Sequence, residues 1–339
     1  MATSGFRKTA FYLGIGCLGV PIVLAILVAL FLYAARGAMR SHGPAKTEPA
    51  SLSIPIERAA SESSSQGSQD SGAAGPAVVP GRDLEEMAQA AGASYKPLRL
   101  DLDLSEGHFI ILPGPPGSDL KVEGEFDPRD YELTQETEDL GEEGRQVSIR
   151  FRGKSFFRLF FNRGRNPNRL TIHIPQEVPT ALHLRLGKCQ SDIDLGGLRL
   201  TELEARLHMG EHEVGFSRPI AGELPRARFH TGMGQIHLNN LGNARAREYY
   251  LKGSMGEFRA DFDGEWLPGF QSKAECRFSM GDMVVRVPRG VRLSKDSRAR
   301  VALGEARTVR SEEEPEDPNA PILQVNASAS MGEIRVIQE

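Results

Sequence analysis

The stretch GSMGEF, Gly253–Phe258, carries a short pattern that returns throughout the second half of this chain of 339 residues. A Met, a Gly and an acidic or amide residue recur as HMGEHEV, TGMGQIHL, FSMGDMVV and SMGEIRV. The pattern centres on glycines spaced by 24, 22, 25, 23 and 28 residues, namely Gly210, Gly234, Gly256, Gly281, Gly304 and Gly332. Internal repeats of about 20 to 30 residues are typical of stacked architectures in which each unit buries its neighbour.

The residues around each glycine indicate strands. After Gly256, apolar residues stand at every second position, which is typical of a strand with one buried face. Before the glycine, apolar residues fall at minus one and minus three, as in Met280 and Phe278, so the alternation changes phase. A phase change needs a bend or bulge, and glycine supplies one without steric penalty. We therefore predict a corner at each repeat, with Met pointing inward and the polar residue outward.

The repeat has weaker copies earlier in the chain. It also predicts the distance between two cysteines and a column of polar residues. CQSDIDL would place Ser191 at the glycine position, and SEGHFIIL would place Gly107 there. If successive units lie about 4.8 Å apart, Cys189 and Cys276 are about 19 Å apart and stay reduced. The residues after the glycines form a column that either binds a cation such as Ca²⁺ or, the favoured interpretation, is a solvated edge: Glu211, Gln235, Glu257, Asp282, Glu305 and Glu333.

The amino-terminal region predicts a membrane anchor. Residues 10–35 carry no charge over 26 residues, enough to cross about 30 Å of hydrocarbon and too long for the apolar region of a cleaved signal peptide. We predict a single-pass helix after a tail of residues 1–9. Basic residues flank the span on both sides, so the positive-inside rule does not orient it. The layout of a short tail and a large following domain favours an extracytoplasmic domain.

Residues 36–94 are predicted to be a flexible linker. Positions 41–80 hold nine Ser, seven Ala, five Pro and four Gly, and no aromatic residue occurs between Tyr33 and Tyr95. Such a composition buries too little surface to offset its ordering entropy. Within it, the apolar spacing and capping residues predict one short helix over 84–91. The β-repeat domain then occupies 95–339.

The segment 145–170 is the best sequence candidate for a binding surface. It holds seven Arg, one Lys and five Phe and no carboxylate, a composition that could contact anionic lipid headgroups, acidic polysaccharide or single-stranded nucleic acid. Its candidate residues are Arg150, Arg152, Lys154, Phe156, Phe157 and Arg158. The alternative is structural: residues 101–143 hold fourteen carboxylates against two Lys or Arg, so the two segments could pair across a sheet.

Global composition and motif content argue against several function classes. A net charge of −4 argues against a nucleic-acid partner, and three cysteines do not form a disulfide framework. His208, His212, His230 and His237 lack metal-ligand spacing on a helix, and no Ser-His-Asp or Cys-His motif is evident. We expect no catalytic residue, no metal and no cofactor. A polysaccharide-acting enzyme is the weaker alternative.

These repeats resemble a known family. The Gly-polar-apolar-x-apolar units, LTIHIPQEVPTALHLRLG from Leu170 and MVVRVPRGVRLSKDS from Met283 are similar to toastrack-type β-repeat domains, described as putative adhesins and related to the carboxy-terminal domain of LiaF-like cell-wall stress proteins. The resemblance covers roughly residues 95–339 and implies an all-β, solenoid-like stack at the cell envelope, without enzymatic residues to carry over. The acidic insertion 311–321 and the regular Met-Gly pairs depart from the family pattern.

The expected protein is a membrane-anchored, non-enzymatic envelope module that acts in adhesion-like binding or as a scaffold. Its expected partners are the bilayer that holds the anchor and an envelope glycan, an anionic lipid or another envelope protein. An envelope-stress regulator that senses stress or inhibits a signalling partner is the alternative. The single membrane span weakens that alternative, because LiaF-like proteins carry several.

Overall fold

The computed structural model describes residues 47–56, 95–154, 168–311 and 315–339. The predicted membrane span 10–35 and the predicted helix 84–91 lie outside these ranges, as does most of the predicted linker. Across the residues described, no helix is long and apolar enough to cross a bilayer. Nearly all the described residues belong to strands or to the short turns between them.

Fourteen strands form one sheet. Their bounds are β1 Glu48–Ile54, β2 Leu98–Pro113, β3 Leu120–Phe126, β4 Tyr131–Asp139, β5 Arg145–Gly153, β6 Arg169–Ile174, β7 Thr180–Asp194, β8 Leu200–Gly215, β9 Leu224–Asn239, β10 Ala246–Asp261, β11 Gln271–Val287, β12 Arg292–Leu293, β13 Arg298–Val309 and β14 Ile322–Gln338. Two short 3-10 turns, Gly141–Glu143 and Leu241–Ala244, are the described helical elements. The expectation of an all-β stack is confirmed.

The centre of the sheet is a parallel stack of long strands in the order β2, β7, β8, β9, β10, β11, β14, β13. The repeat glycines lie side by side across this stack. Gly256, for example, is in register with Gly234 on one side and Gly281 on the other. The period of about two dozen residues is thus one strand with its connection to the next.

Each long strand bends at the repeat position into two arms. We call the part before this position the N arm and the part after it the C arm. At Gly256 the bend needs glycine because the backbone has a positive φ of 124° and because a Cβ there would collide with the carbonyl oxygen of Gly234. The two arms face each other across the core. Tyr249 in the N arm of β10 meets Phe262, just past its C arm, with ring centroids 5.1 Å apart.

The two arms are continued separately beyond β2. β5 pairs with the N arm of β2 and carries β4, whereas β6 pairs with the C arm and carries β3 and β1. Phe151 on β5 and Phe109 on β2 join the two layers, with ring centroids 6.0 Å apart. This end of the stack is therefore closed by additional strands over both arms.

The prediction that the repeat methionines point inward is wrong. Met209 is 42% exposed and Met255 is also 42% exposed, whereas Leu207, two residues before Met209, is fully buried. The phase change lies between the third residue before the glycine and the second after it. Side chains between those positions project from the outside of the bend, because only backbone fits on its inside.

Two further expectations about the repeat need correction. Cys189, not Ser191, is at the glycine position of β7, because Cys189 is in register with both Gly210 and Gly107. The spatial order also differs from the chain order at the end of the stack, since β14 lies between β11 and β13. The acidic insertion belongs to the return that places β14 there. Both Cys189 and Cys276 are free and buried, as expected.

Part of the predicted linker is instead a strand. β1 pairs antiparallel with β3 over seven residues, from Glu48 opposite Phe126 to Ile54 opposite Leu120. Leu52 and Ile54 alternate with serines, so this stretch has a period-2 apolar pattern that its overall composition hides. Ile54 is buried and Leu52 packs against the core.

Candidate binding surface

The basic and aromatic residues predicted from sequence divide between the surface and the core. Phe151 lies in the core, stacked on Tyr131 with ring centroids 5.3 Å apart. Arg150 and Arg152 face outward, and the Lys154 ammonium donates a hydrogen bond to the Pro128 carbonyl at 2.7 Å. Phe156, Phe157 and Arg158 lie outside the described residues.

The outward arginines of β5 contact neighbouring acidic strands. Arg150 lies 3.1 Å from Glu136 on β4, and Arg152 lies 2.5 Å from Asp103 on β2. The structural alternative predicted for this segment, pairing with acidic neighbours, is therefore present for these two residues. Whether they also bind an external anion stays a prediction.

A second set of basic side chains forms a row on the outer surface of the N arm. It occupies the fourth position before the repeat glycine, in register from strand to strand, and we call it the basic column: Arg185, Arg206, His230, Lys252, Arg277 and Arg300. Ser328 holds this position in β14, between Arg277 and Arg300. Alternation places all of these side chains outward, because the flanking positions are core.

Some members of the basic column are paired within their own strand or with a neighbour. Arg206 lies 2.7 Å from Glu204, Arg277 lies 3.6 Å from Glu275, and Arg185 lies 3.7 Å from Asp103. Lys252 and Arg300 contact no carboxylate within the part of the chain that the structure describes. The column therefore has unbalanced positive charge at its middle and at its β13 end.

Next to the basic column, at the outside of the bend, the residues before the glycines form a continuous apolar row. We call it the methionine ridge: Met209, Met233, Met255, Met280, Met331 and Leu303, in that spatial order. The methionines are 41 to 48% exposed and Leu303 is 64% exposed. At about 4.8 Å per strand the ridge is about 24 Å long. Sequence reasoning found these residues and assigned them the wrong side.

The acidic column lies on the other side of the bend, on the C arm. Its members are in register as predicted, for example Glu257 opposite Gln235 and Asp282. Several pair with an arginine two residues later in the same strand, such as Arg259 with Glu257 at 2.5 Å. In the described ranges no group of three or more His, Cys, Asp and Glu is arranged to hold a metal ion.

Two shallow polar grooves border the basic column. One, of about 290 Å³, is lined by Arg150 of β5 together with Arg185 and Arg206 and by facing carboxylates. The other, of about 500 Å³, is lined by Arg277, Arg298 and Arg300 around the short side chains of β14. Both grooves place guanidinium groups where an anionic group could reach them.

One serine and one histidine do come together in the core. Ser191 Oγ lies 2.9 Å from His212 Nδ1, and both side chains are buried. Burial lowers the pKa of His212 to about 4, so the imidazole is neutral at pH 7. The other ring nitrogen, Nε2, has no hydrogen-bond partner in the described part of the chain. Among the described residues, no carboxylate hydrogen-bonds to His212 to orient it as in a catalytic triad.

Comparison with known proteins agrees with this architecture. Residues 83–239 match the family model of the N-terminal domain of toast_rack. No curated protein matches the chain. The match includes the strands β2 to β9, with the first four bends of the stack. The matched stretch, residues 83–239, is similar to this family.

Solved structures resemble the chain at low similarity. One is a putative cell adhesion protein from Clostridium sporogenes, 14% identical, covering 72% of this chain and 93% of its own with a TM-score of 0.33. A putative adhesin from Bacteroides fragilis is 11% identical over 71% and 92%, with a TM-score of 0.30. A putative lipid binding protein from Parabacteroides distasonis is 12% identical over 88% and 98%, with a TM-score of 0.28.

Proposed function

We propose that this protein is a membrane-anchored, non-enzymatic module of the cell envelope whose methionine ridge and basic column adhere to an anionic lipid surface. Residues 10–35 would hold it in one bilayer, and the β-repeat domain would act outside the cytoplasm. The ridge would enter the interfacial region, and the basic column beside it would face the headgroup phosphates.

The observation that carries the proposal is that the fold does not require apolar residues in the ridge. The equivalent position is Lys188 in β7 and Glu106 in β2, in register with Met209. Charged residues are therefore accepted at this position of the bend. Six successive apolar side chains in water are a feature the stack could do without, and a row of this kind marks an interaction surface.

The row of methionines favours lipid over glycan. Methionine is flexible and polarizable, and it adapts to irregular apolar surroundings. Fully burying a Met or Leu contributes about 1.5–3 kcal/mol relative to exposure, so at the observed exposure each ridge residue would contribute about 1 kcal/mol. A basic side chain near an anionic leaflet adds about 1 kcal/mol, which applies best to Lys252 and Arg300. After the cost of association we expect weak binding that avidity could strengthen.

The test uses the full chain held in nanodiscs of neutral lipid and measures its co-flotation with separate vesicles. Vesicles of phosphatidylcholine with phosphatidylglycerol should be bound, and vesicles of phosphatidylcholine alone should be bound much less. The variant Met233→Ser, Met255→Ser, Met280→Ser should lose most of the binding without loss of thermal stability. Unchanged binding by this variant would refute the assignment of the ridge.

Matched controls separate charge from apolar contact. Replacing Glu211, Glu257 and Glu333 by Gln changes one exposed and two half-buried residues on the other side of the bend and should not weaken flotation. If an acidic polysaccharide competes while the methionine variant still binds, the ligand is a glycan rather than a lipid surface. Alkaline carbonate extraction tests the anchor separately, because only an integral span keeps the full chain in the membrane pellet.

A further inference from the structure

The two ends of the stack differ in a way that points to a self-association site. The β2 end is covered by β5 over the N arm and by β6 over the C arm. At the other end, β13 pairs with β14 alone among the described strands. Its other edge therefore presents unpaired backbone donors and acceptors along 12 residues.

The inward side of β13 is also uncovered. Ala306 and Thr308 occupy positions that are core in the preceding strands, where Ile334 and Val336 are in register with them and buried. On β13 both residues are exposed. Terminal units of a stacked repeat normally carry a polar cap, whereas the inward side of β13 is left uncovered at Ala306 and Thr308.

We propose that β13 pairs antiparallel with β13 of a second copy of this chain, closing the end of both stacks in a twofold dimer. The bend at Gly304 makes this geometry possible. A twofold axis that bisects the bend exchanges the N and C arms and reverses the strand, so two bent strands can lie edge to edge with their bends together. Each copy then supplies the neighbour that the other lacks.

One register of β13 brings opposite charges of the two copies together on the outer face. On β13 the inward residues have odd numbers before Gly304 and even numbers after it, because the alternation changes phase at the bend. An antiparallel pairing therefore keeps the inward side chains of both copies on the same face only if an odd-numbered residue lies opposite an even-numbered one. Pairing Arg300 of one copy with Glu305 of the other satisfies this condition, and symmetry makes the contact twice. The same register places Ala299 opposite Ala306, small side chains suited to the inner face. It also sets Arg298 opposite Arg307, and these two like-charge pairs offset part of the gain.

The contact is one strand wide, so the dimer is expected to be weak. Stable interfaces use about 20 to 30 residues on each side, and β13 has 12. We therefore expect association that depends on concentration and that local density in a membrane promotes. The charges at the contact should govern it, since directly opposed like charges destabilise strand pairs.

The first test is cysteine cross-linking of the full chain in detergent, in a Cys17→Ser background that retains the buried Cys189 and Cys276. Position 303 lies within about one residue of the twofold axis. In the Leu303→Cys variant, a short bismaleimide should therefore join the two introduced cysteines of the dimer. Met209→Cys is the matched control in the same exposed ridge. Position 209 lies five strands from β13, roughly 24 Å, so the cysteines at position 209 of the two copies are too far apart for the reagent to join.

The second test exchanges the charges in the Leu303→Cys background. Arg300→Glu alone and Glu305→Arg alone should each weaken dimerisation about tenfold, since each turns two attractive pairs into two repulsive ones. The double exchange should restore it. All three changes are at exposed positions, and unreactive Cys189 and Cys276 verify that the variants are folded.

The proposal predicts a specific pattern across these variants. Rescue by the double exchange supports the antiparallel register. Equal cross-linking of Met209→Cys would show lateral contact through the ridge and overturn the proposal. Absence of the Leu303→Cys cross-link across the concentration range, or absence of rescue, would overturn it as well. None of these readouts uses vesicle binding, so they are independent of the proposed lipid contact.

Discussion

The bend itself can be tested by placing one methyl group at a repeat glycine. Gly256→Ala has two costs. The residue has φ 124°, a region where an L side chain is strained by about 1–2 kcal/mol. In addition, the new Cβ would overlap the carbonyl oxygen of Gly234, and this atom belongs to the backbone and cannot rotate away.

Relief of that overlap requires the neighbouring strands to separate by roughly an ångström, which breaks or leaves unpaired at least one buried backbone hydrogen bond at about 1–3 kcal/mol. The expected total is therefore about 4 kcal/mol. Gly222→Ala is the matched control. Gly222 has a similar φ of 114°, but a Cβ there meets nothing within 4 Å, so only the conformational strain applies.

The assay is thermal unfolding of the full chain in detergent, followed by far-ultraviolet circular dichroism. The two variants share the conformational strain, so they differ by about 2.5 kcal/mol. For a domain of this size 1 kcal/mol lowers the Tm by roughly 2–4 °C, so Gly256→Ala should melt about 5–10 °C below Gly222→Ala. If the two variants melt together, the close approach of stacked glycines does not determine the bend and the explanation of the repeat is wrong.

Three further outcomes are expected. Cys189 and Cys276 should react with a thiol reagent only after unfolding, because burial raises the pKa of each thiol to about 12. The free energy of unfolding should rise with pH between about 4 and 6.5, because burial lowers the pKa of His212 to about 4 and the unfolded chain binds the extra proton in that window. Chemical unfolding at pH 5 and 7.5 measures this. The free energy of unfolding should change between the two pH values by about 2 kcal/mol more in wild type than in His212→Gln. A chain that begins at residue 95 should melt below one that begins at residue 47, because loss of Leu52 and Ile54 uncovers β3; equal melting temperatures would show that β1 adds nothing to the sheet.

The sequence was sufficient to predict the stacked strands, but not the strand order and the additional strands at the two ends of the stack. The glycine spacing and the alternation around Gly256 predict stacked strands with their glycines aligned, because both signals are local and repeat. The position of β14 between β11 and β13 depends on how a long connection returns, and spacing alone carries no information about that. β1 was missed because seven residues of strand were averaged into a Ser-rich stretch.

The binding surface was predicted less well, for a specific physical reason. An apolar residue before each glycine was interpreted as core, since apolar side chains in a period-2 pattern usually are. At a bend with its inside filled by backbone, the same position projects into water. The signal that could have corrected this is Lys188 at the equivalent position of β7, which an inward site would not accept. The basic column could also have been found by aligning Arg206, Lys252 and Arg277 four residues before their glycines.

The proposed lipid contact and the proposed dimer together predict how Glu305→Arg changes vesicle binding. The direction of the change shows whether the dimer strengthens binding or whether each copy binds independently. In the proposed dimer the two bends meet at the axis, so the methionine ridges join end to end and the apolar row doubles in length to roughly 50 Å. Glu305→Arg adds a positive charge to each copy, which by itself should strengthen flotation with anionic vesicles. The same change opposes like charges across the axis and should separate the dimer, halving the ridge that one particle presents and removing the gain from two linked contacts. If pairing supports adhesion, Glu305→Arg weakens vesicle binding despite its added charge, and Arg300→Glu in the same chain restores it. If each copy binds alone, Glu305→Arg strengthens binding and the second substitution reverses that gain.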